Sequence, residues 1–352
     1  MLEVWLASVH VPGTAIACGQ AAETEGFDGI SFGDTQNLAA DPFGGLCLVA
    51  AHTDRLRLMV GVTNPVTRHP AVTAAAIATV QVESAGRAVL GVGRGDYSLG
   101  HLGRRPAPVE VTERFTAQLQ CYLRSEVVDM DGHPSEIPWI ARSGQPKVPL
   151  DMAATGPRML ALGGRLAERV TVNVGALPDR VDWAVEVVRA ARAEAETTTG
   201  PLSVGAYLVV TAHPDVRVAR DLARGPLAAY AHFSGMAGAP VAQLHAQDRA
   251  VVEAVAADYI HTGHSTQHPP DSAGLGQVLP RHQQHIDDAF VDRFGVVGTP
   301  AHCVSRLLEL ADLGLDRVLL VEGRDPAAPG DQRRAHRCLA EEVLPALHTE
   351  AA

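Results

Sequence analysis

The 352-residue sequence predicts an α/β protein with the (β/α)8 TIM-barrel fold. Short apolar runs alternate with amphipathic helical windows over the whole chain, which is typical of a parallel sheet covered by helices. About eight such runs can be counted, which is more than an open doubly wound sheet usually has. The first run is followed by "HVPGTA", without the GxGxxG that a dinucleotide-binding fold places there. A closed barrel therefore fits best.

The first four strand–helix units follow one another closely. Their predicted strands are "LEVWLASV", "GISFGD", "LRLMVGV" and "RAVLGVG". The helices that follow them are "TAIACGQAAETEG", "PFGGLCLVAAHTD", "AVTAAAIATVQVES" and, after a glycine-rich loop, "PVEVTERFTAQLQCYLRS". These strands are apolar on both faces, as expected where a parallel sheet is buried on both sides.

The second half repeats the pattern with two interruptions. Its predicted strands are "VPLDMAA", "RVTVNV", "LSVGAYLVVTA" and "LDRVLLVEG". Its helices are "PRMLALGGRLAE", "DRVDWAVEVVRAARAEAE", "PAHCVSRLLELADLG" and a closing helix over about 330–347. Irregular segments at about 126–146, after strand 4, and 233–295, after strand 7, are predicted to be insertions. We expect residues 1–352 to form one domain.

Composition excludes several classes of function. The formal net charge of −11 argues against a nucleic-acid surface. No apolar run approaches the roughly 20 residues that span a bilayer. The five cysteines are scattered and contain no CxxC pair, which fits a reducing cytosol and provides no metal motif. The N-terminus has no basic region before a long apolar core, so we interpret it as a strand. A cytoplasmic protein is predicted.

Histidines are concentrated in the second irregular segment, at positions 261, 264, 268, 282 and 285. They lie among Gly, Pro and Gln residues without the i, i+4 order of a helical metal site. We therefore expect exposed loop histidines and no metal site.

Function in a (β/α)8 barrel resides at the carboxyl ends of the strands. Small residues and glycines dominate these positions, which lets a flat, extended ligand lie across the barrel mouth and touch backbone. The candidate residues at successive strand ends are His10; Asp34; Gly61, Val62, Thr63 and Asn64; Gly93, Gly95 and Asp96; Ala154, Thr155 and Gly156; and Asn173 and Gly175.

Each strand end has an ordinary alternative. The glycines of "GVGRGD" allow close backbone approach or form only a flexible loop. Thr155 and Gly156 precede a helix that starts at Pro157, and a helix start is a natural phosphate site, although most helix starts bind nothing. Asp34 either hydrogen-bonds a ligand ring or caps the following segment. The turn "VGVTNPVTRHP" is either an ordinary strand-to-helix connection or a backbone held against a ligand.

Several of these stretches resemble one family. They are "AAETEGFDGISFGD", "VGVTNPVTRHPAVTAAAIATVQVESAGRAVLGVGRGD", "AATGPRMLALGGRLAE" and "FGVVGTPAHCVSRLLELADLGLDRVLL". Together they identify the chain as a member of the luciferase-like flavin and deazaflavin oxidoreductases. It is most similar to the branch that uses coenzyme F420, which includes methylenetetrahydromethanopterin reductase. The resemblance covers nearly the whole chain and fades at 126–146 and 233–290.

The resemblance implies roles for individual residues. A non-prolyl cis peptide at Gly61–Val62 would support the central ring of the deazaflavin, with Thr63 and Asn64 holding the turn in shape. Asp34 would contact the ring system. The phosphate would lie at Thr155 and Gly156, near Asn173 and Gly175, and Arg293 would reach the phosphate or the tail of the cofactor.

The implied activity is transfer of a hydride between C5 of the deazaflavin and an electrophilic C=N, C=C or C=O carbon of a small organic substrate. Asp96, or alternatively His10, would supply the accompanying proton; equally, Asp96 would only cap the phosphate loop. Sugar-phosphate substrates are not expected, because Thr35 and "QNLAA" replace the histidine and aromatic residue of those members.

Three other functions remain open from the sequence. They are an FMN-dependent monooxygenase of the same superfamily, a cofactor-binding relative without turnover, and an unrelated metal-dependent sugar barrel. The family also implies a homodimer.

Overall fold

The computed structural model describes residues 2–195, 200–236, 241, 244–259 and 281–350. Within them it contains eleven strands: β1 Glu3–Ser8, β2 Gly29–Phe32, β3 Arg57–Thr63, β4 Ala88–Val92, β5 Val128–Met130, β6 His133–Ser135, β7 Leu150–Ala154, β8 Arg169–Val172, β9 Ser203–Ala212, β10 Val296–Gly298 and β11 Arg317–Glu322. Eight of these are hydrogen-bonded in the order β9-β11-β1-β2-β3-β4-β7-β8, and β8 pairs with β9 to close the ring. All eight pairings are parallel, so the predicted (β/α)8 barrel is confirmed.

Helices cover the outside of the barrel. Those in the described residues are α1 Ala15–Glu25, α2 Pro42–Ala50, α3 Pro70–Glu83, α4 Tyr97–Gly100, α5 Val109–Leu123, α6 Pro138–Arg142, α7 Pro157–Leu166, α8 Pro178–Ala193, α9 Val216–Gly235, α10 Ala246–Asp258, α11 Asp288–Phe294, α12 Pro300–Asp312, α13 Pro329–Cys338 and α14 Leu344–Glu350. Seven of them begin at a proline, whose fixed φ and missing N–H suit the first helical position. Most predicted starts are therefore accurate.

The irregular segments contain more structure than the sequence predicted. A two-stranded hairpin, β5–β6, and the short helix α6 lie within 126–146. In the second segment, α9 continues to Gly235, and α10 and α11 follow in its described part; β10 begins just after it. Helix α9, which was not predicted from the sequence, therefore extends past the predicted start of this insertion at about 233. Pro226 in its interior obscures its helical pattern. A π-helical turn over Leu339–Val343 also interrupts the predicted closing helix. The assignment of the whole chain to one domain stays a prediction.

A buried ionic network closes the amino-terminal end of the barrel. The Arg317 guanidinium donates to Asp151 Oδ2 at 2.8 Å and to Thr171 Oγ1 at 2.9 Å. Arg169 donates to Glu3 Oε2 at 2.8 Å and lies over the Trp5 ring. Each buried charge therefore has a hydrogen-bonded partner, which a low-dielectric interior requires. This end is filled, so the open end lies opposite, at the carboxyl ends of the strands.

The contacts of His336 predict that the free energy of unfolding depends on pH. Its Nδ1 lies 2.7 Å from Glu322 Oε1 and its Nε2 lies 3.1 Å from Glu25 Oε1, which joins α13 to β11 and α1. The hydrogen bond to Glu322 raises the pKa of His336 to about 9, against the lowering effect of burial. Because the folded pKa exceeds the unfolded value, this stabilisation is complete below about pH 6.5 and is lost as the pH rises towards 9.

We expect the free energy of unfolding to fall by about 1 kcal/mol over that range, after allowance for solvent screening of this partly exposed group. Urea unfolding at pH 6, 7.5 and 9 measures it. H336Q is the matched variant and should lose this part of the pH dependence. An identical slope in H336Q would contradict the assignment.

Candidate active site

A pocket of about 450 Å³ opens at the carboxyl ends of the barrel strands. Its walls come from the residues that follow β2, β4, β7 and β8, from the end of β3, from Tyr207 on β9, and from the last turns of α9. The lining includes Gly33, Asp34, Thr35, Gly61, Val62, Gly93, Arg94, Gly95, Asp96, Tyr97, Ser98, Glu110, Ala154, Thr155, Gly156, Arg158, Asn173, Tyr207, Tyr230, Phe233 and Met236. This is the end at which (β/α)8 barrels carry their chemistry.

One wall of the pocket is a bulge at the end of β3. The register between β3 and β4 shifts between Val60 and Thr63, and the Gly61–Val62 peptide bond is cis, at the position that the resemblance implies. A Cβ placed on Gly61 would lie 1.9 Å from Ser31 Oγ and 3.0 Å from Tyr207 Oη. Only glycine fits there, so backbone itself faces the pocket.

Asp34 is held by an ion pair behind this wall. The Arg68 guanidinium donates to both Asp34 oxygens, at 2.7 and 3.0 Å, and Thr63 Oγ1 donates to Oδ2 at 2.7 Å. Arg68 also donates to Asp41 at 2.6 Å. Burial lowers the pKa of Arg68, but the hydrogen bonds to these two carboxylates outweigh it and raise that pKa. The Asp34 carboxylate at the pocket wall therefore already has its negative charge compensated by Arg68.

Asn64 fixes the turn that follows the bulge. Its Oδ1 accepts from the backbone N–H groups of Val66 and Thr67, both at 3.0 Å. Its Nδ2 donates to Thr67 Oγ1 at 2.9 Å and to Ser98 Oγ at 3.1 Å. Thr63 and Asn64 thus tie the bulge to the β2 and β4 loops. This explains the polar residues crowded into "TNPVTRHP".

Asp96 faces the pocket with a histidine behind it. His232 Nε2 of α9 lies 3.2 Å from Asp96 Oδ2, and both side chains are about 90% buried. The imidazole stacks on the Tyr259 ring, with centroids 3.5 Å apart. His232 does not itself line the pocket, whereas Asp96 does.

A neutral aromatic wall lies on the α9 side. Tyr230 contacts Phe233 edge-on at 5.7 Å and Tyr207 at 6.4 Å, and Phe233 meets Tyr97 at 5.6 Å. Burial raises the pKa of Tyr97, Tyr207 and Tyr230 above the ordinary phenol value. These phenols therefore stay protonated at neutral pH and can donate hydrogen bonds to a ligand.

Two arginines and the start of α7 also line the pocket. The α7 N-cap, Gly156, has no side-chain hydrogen bond to the first turn, which leaves N–H groups of that turn for other partners. Arg158 of that turn is paired with Glu110 at the rim. Arg94 donates to Ala107 O at 2.6 Å, and burial together with nearby Arg158 lowers its pKa. A helix start beside two guanidinium groups suits an anion such as a phosphate.

Two buried polar atoms suit a ligand between these walls. Asn173 Oδ1 and Tyr207 Oη have no hydrogen-bond partner of good geometry among the described residues, and both side chains line the pocket. Buried polar groups normally find partners, so a bound molecule with polar edges would satisfy them. At Gly93, a Cβ would lie 2.8 Å from Val62 Cγ2, so the Val62 side chain packs closely on the β4 end.

Ten of the predicted site residues line one pocket, and five do not. Thr63 and Asn64 lie beside it, where their side chains bond to Asp34 and Ser98. His10 is turned away, with Nδ1 2.7 Å from Asp41 O and its ring stacked on Phe32. Gly175 packs against Phe294. Arg293 donates to the fully buried Asp248 at 2.6 Å instead of reaching the pocket. The structure therefore does not support a proton-transfer role for His10 or cofactor contacts for Gly175 and Arg293.

The aromatic wall and both arginines were missed. Only 4% of residues are aromatic, and the chain has five tyrosines. Tyr97, Tyr207 and Tyr230 line the pocket, and Tyr259 lies just behind it. The rarity of aromatic residues was the signal available in the sequence. A few tyrosines in distant segments that the barrel fold brings to one end are candidates for a shared site.

The described residues contain no group of three or more metal-ligating side chains. Of the five clustered histidines, those at 261, 264 and 268 lie outside the described residues. His285 Nε2 lies 2.7 Å from Asp258. In the described ranges, no helix has the length and apolar character needed to cross a membrane.

Comparison with known proteins agrees with this architecture. A family model described as luciferase-like monooxygenase matches residues 5–317. The 5,10-methylenetetrahydromethanopterin reductase of Methanolobus tindarius is 28% identical over 330 residues, which cover 92% of this chain and 93% of the relative.

Two solved structures share the fold. The coenzyme F420 dependent tetrahydromethanopterin reductase from Methanopyrus kandleri superposes with a TM-score of 0.72 at 23% identity, covering 98% of this chain and 99% of the other. An F420-dependent secondary alcohol dehydrogenase superposes with a TM-score of 0.70 at 15% identity, covering 98% and 99%.

Proposed function

The chain belongs to the luciferase-like monooxygenase family, and we propose that it is a coenzyme F420-dependent oxidoreductase. The reaction is hydride transfer between the deazaflavin C5 and an electrophilic C=N, C=C or C=O carbon of a small organic substrate. The observation that carries this proposal is the pocket, with its backbone wall at Gly61–Val62, cationic helix start and neutral aromatic side. The reductase relatives, matched over most of their length, support the choice of F420.

The pocket residues fit such a cofactor. Gly61 and Val62 would support the flat ring system, and Asn173 Oδ1 and Tyr207 Oη would meet its polar edges. The N–H groups at Thr155 and Gly156 would hold the phosphate. When bound, coenzyme F420 supplies two-electron hydride chemistry.

The protein's own residues then position the substrate and move a proton. The neutral phenols of Tyr97 and Tyr230 offer hydrogen bonds without adding charge to the pocket. Asp96 lines the same pocket, with His232 Nε2 3.2 Å from its Oδ2. We assign to it the proton that accompanies the hydride.

Cofactor titration tests the proposal. Purified protein, freed of bound small molecules, is titrated separately with F420 and with FMN, and binding is followed by fluorescence and by thermal unfolding. We expect saturable F420 binding, with stabilisation of about 2.7 kcal/mol once the ligand reaches 100 times Kd. FMN should bind more weakly.

Turnover is then measured as oxidation of reduced F420. The acceptors are methylenetetrahydromethanopterin, which the relatives' name specifies, and simple ketones and cyclic imines. Tight FMN binding without F420 affinity would overturn the proposal in favour of an FMN-dependent monooxygenase. F420 binding with no acceptor across a broad panel would indicate a non-catalytic relative.

We also propose a cytoplasmic homodimer, on the strength of the family resemblance. Sedimentation equilibrium of the intact chain tests the assembly, and a mass of one chain would contradict it.

A further inference from the structure

We propose that His232 is a positioning residue that holds Asp96 as the proton carrier of the active site. The inference rests on the proposed function, because it assigns a role in that reaction. It adds a residue on α9, a helix that the sequence reasoning did not identify, and one that does not itself line the pocket.

The geometry of the pair carries the inference. His232 Nε2 lies 3.2 Å from Asp96 Oδ2, which is ion-pair distance, so this ring nitrogen faces the carboxylate. The two residues come from elements 136 positions apart in sequence, and each side chain is about one-tenth exposed. A buried carboxylate needs a polar or cationic neighbour, and His232 is such a neighbour of Asp96.

The imidazole is itself held in place. It stacks on Tyr259 at 3.5 Å with an interplanar angle of 7°. Tyr259 in turn lies against Tyr97, the residue after Asp96, with ring centroids 6.2 Å apart. His232 and Tyr259 therefore contact two consecutive residues after β4, Asp96 and Tyr97. These contacts hold the Asp96 carboxyl in its position.

Within the described part of the chain, four other titratable groups lie around the pair. On the β4 side they are Tyr97 and Arg94, whose guanidinium feels the Asp96 charge and is bonded to Ala107 O. On α9 and α10 they are Tyr230 and Tyr259. The phenols are kept neutral by burial, which raises their pKa. Their hydroxyls therefore add no charge opposite Asp96.

The proton balance is simple in the direction of substrate reduction. With a C=N or C=O acceptor, the carbon gains the hydride that reduced F420 would supply, the heteroatom takes the proton from the Asp96 carboxyl, and the C=X double bond becomes H–C–X–H. Asp96 is left as a carboxylate beside His232 Nε2. A proton from water restores the acid, so His232 ends each turnover unchanged.

The first test uses the protein without cofactor or substrate. Protein labelled with ¹⁵N-histidine is examined by NMR, and the His232 signals are assigned by their absence in H232Q. We expect Nε2 to carry the proton in the native protein and to lose its hydrogen-bonded N–H signal in D96A. An Nε2 signal that is the same in D96A as in the native protein overturns the inference, whatever the cofactor proves to be.

The second test separates positioning from packing. H232F keeps a ring against Tyr259 but removes Nε2, whereas H232Q keeps an N–H donor. We expect H232F to lower kcat by about tenfold and to shift the pH profile, with the Kd for F420 unchanged, and H232Q to recover part of the rate. H245F is the matched control, since His245 forms a similar pair with Asp179 at 3.5 Å but is largely exposed.

The outcomes distinguish the two proposals. If H232F keeps the native kcat and pH profile, His232 has only a packing role and the inference fails. If H232F is unstable, H232Q alone decides through its pH profile. If F420 does not bind, the proposed function fails, and this role for His232 falls with it even where the NMR measurement shows the pair.

Discussion

Replacing Arg68 by methionine is expected to lower the free energy of unfolding by about 3 kcal/mol, because it removes the partner of a buried carboxylate. Asp34 is only 6% exposed in its side chain and receives two of its three side-chain hydrogen bonds from Arg68. Methionine keeps most of the apolar contact with Phe43, over whose ring the guanidinium lies at 4.5 Å. The loss of stability in R68M is therefore due to removal of the ion pair. Urea unfolding at pH 7 measures this loss.

A double-mutant cycle provides the control. In R68M/D34N the buried charge is gone, so most of the stability should return. D41N is the matched single variant, since Asp41 also bonds Arg68 but is 55% exposed. We expect it to cost less than about 1 kcal/mol. Equal losses in R68M and R68M/D34N would show that the charge of Asp34 does not matter to the fold.

The strands and most helix starts could be predicted because their signals are local. A strand buried on both faces, such as Val89–Leu90 in β4, is apolar whatever its neighbours are. A proline at Pro157 or Pro178 marks a helix start by its own φ. Helix α9 lacked such a signal, since Pro226 in its interior is ordinarily a sign of a break.

The same distinction between local and long-range signals applies to the residues of the site. Asp34, Gly61, Asp96 and Thr155 could be predicted because every strand of a (β/α)8 barrel ends at one rim. The contacts that give these residues their chemistry are long-range. Arg68 reaches Asp34 across 34 positions and His232 reaches Asp96 across 136. Nothing in the neighbouring sequence of Asp34 or Asp96 indicates which distant side chain will meet it.

His10 shows the converse case. It follows β1 and therefore has the sequence position of a catalytic residue. Its ring is instead packed on Phe32, with Nδ1 bonded to Asp41 O. A strand-end position alone therefore does not place a side chain in this site, since the His10 ring is held by contacts in the layer behind it.

Replacing Gly61 by alanine is expected to weaken F420 binding by about 10- to 100-fold. The added Cβ would lie 1.9 Å from Ser31 Oγ, 3.0 Å from Tyr207 Oη and 3.3 Å from Ser31 Cβ. Overpacking of this kind costs about 1–3 kcal/mol, and each 1.4 kcal/mol is a factor of ten in Kd. The bulge has to move towards the pocket, which Gly61 and Val62 line. Fluorescence titration with F420 measures the change.

The contact with Ser31 allows a sharp rescue. In G61A/S31A the atom at 1.9 Å is absent, and the nearest remaining neighbour is Tyr207 Oη at 3.0 Å. Because a phenol can give by a few tenths of an ångström more readily than a strand, the double variant should recover a large part of the affinity. S31A alone shows what the missing hydroxyl costs by itself. G44A is the matched glycine control, since a Cβ there meets nothing nearer than 3.7 Å. Native affinity in G61A would mean that the wall at Gly61–Val62 is not where the cofactor binds.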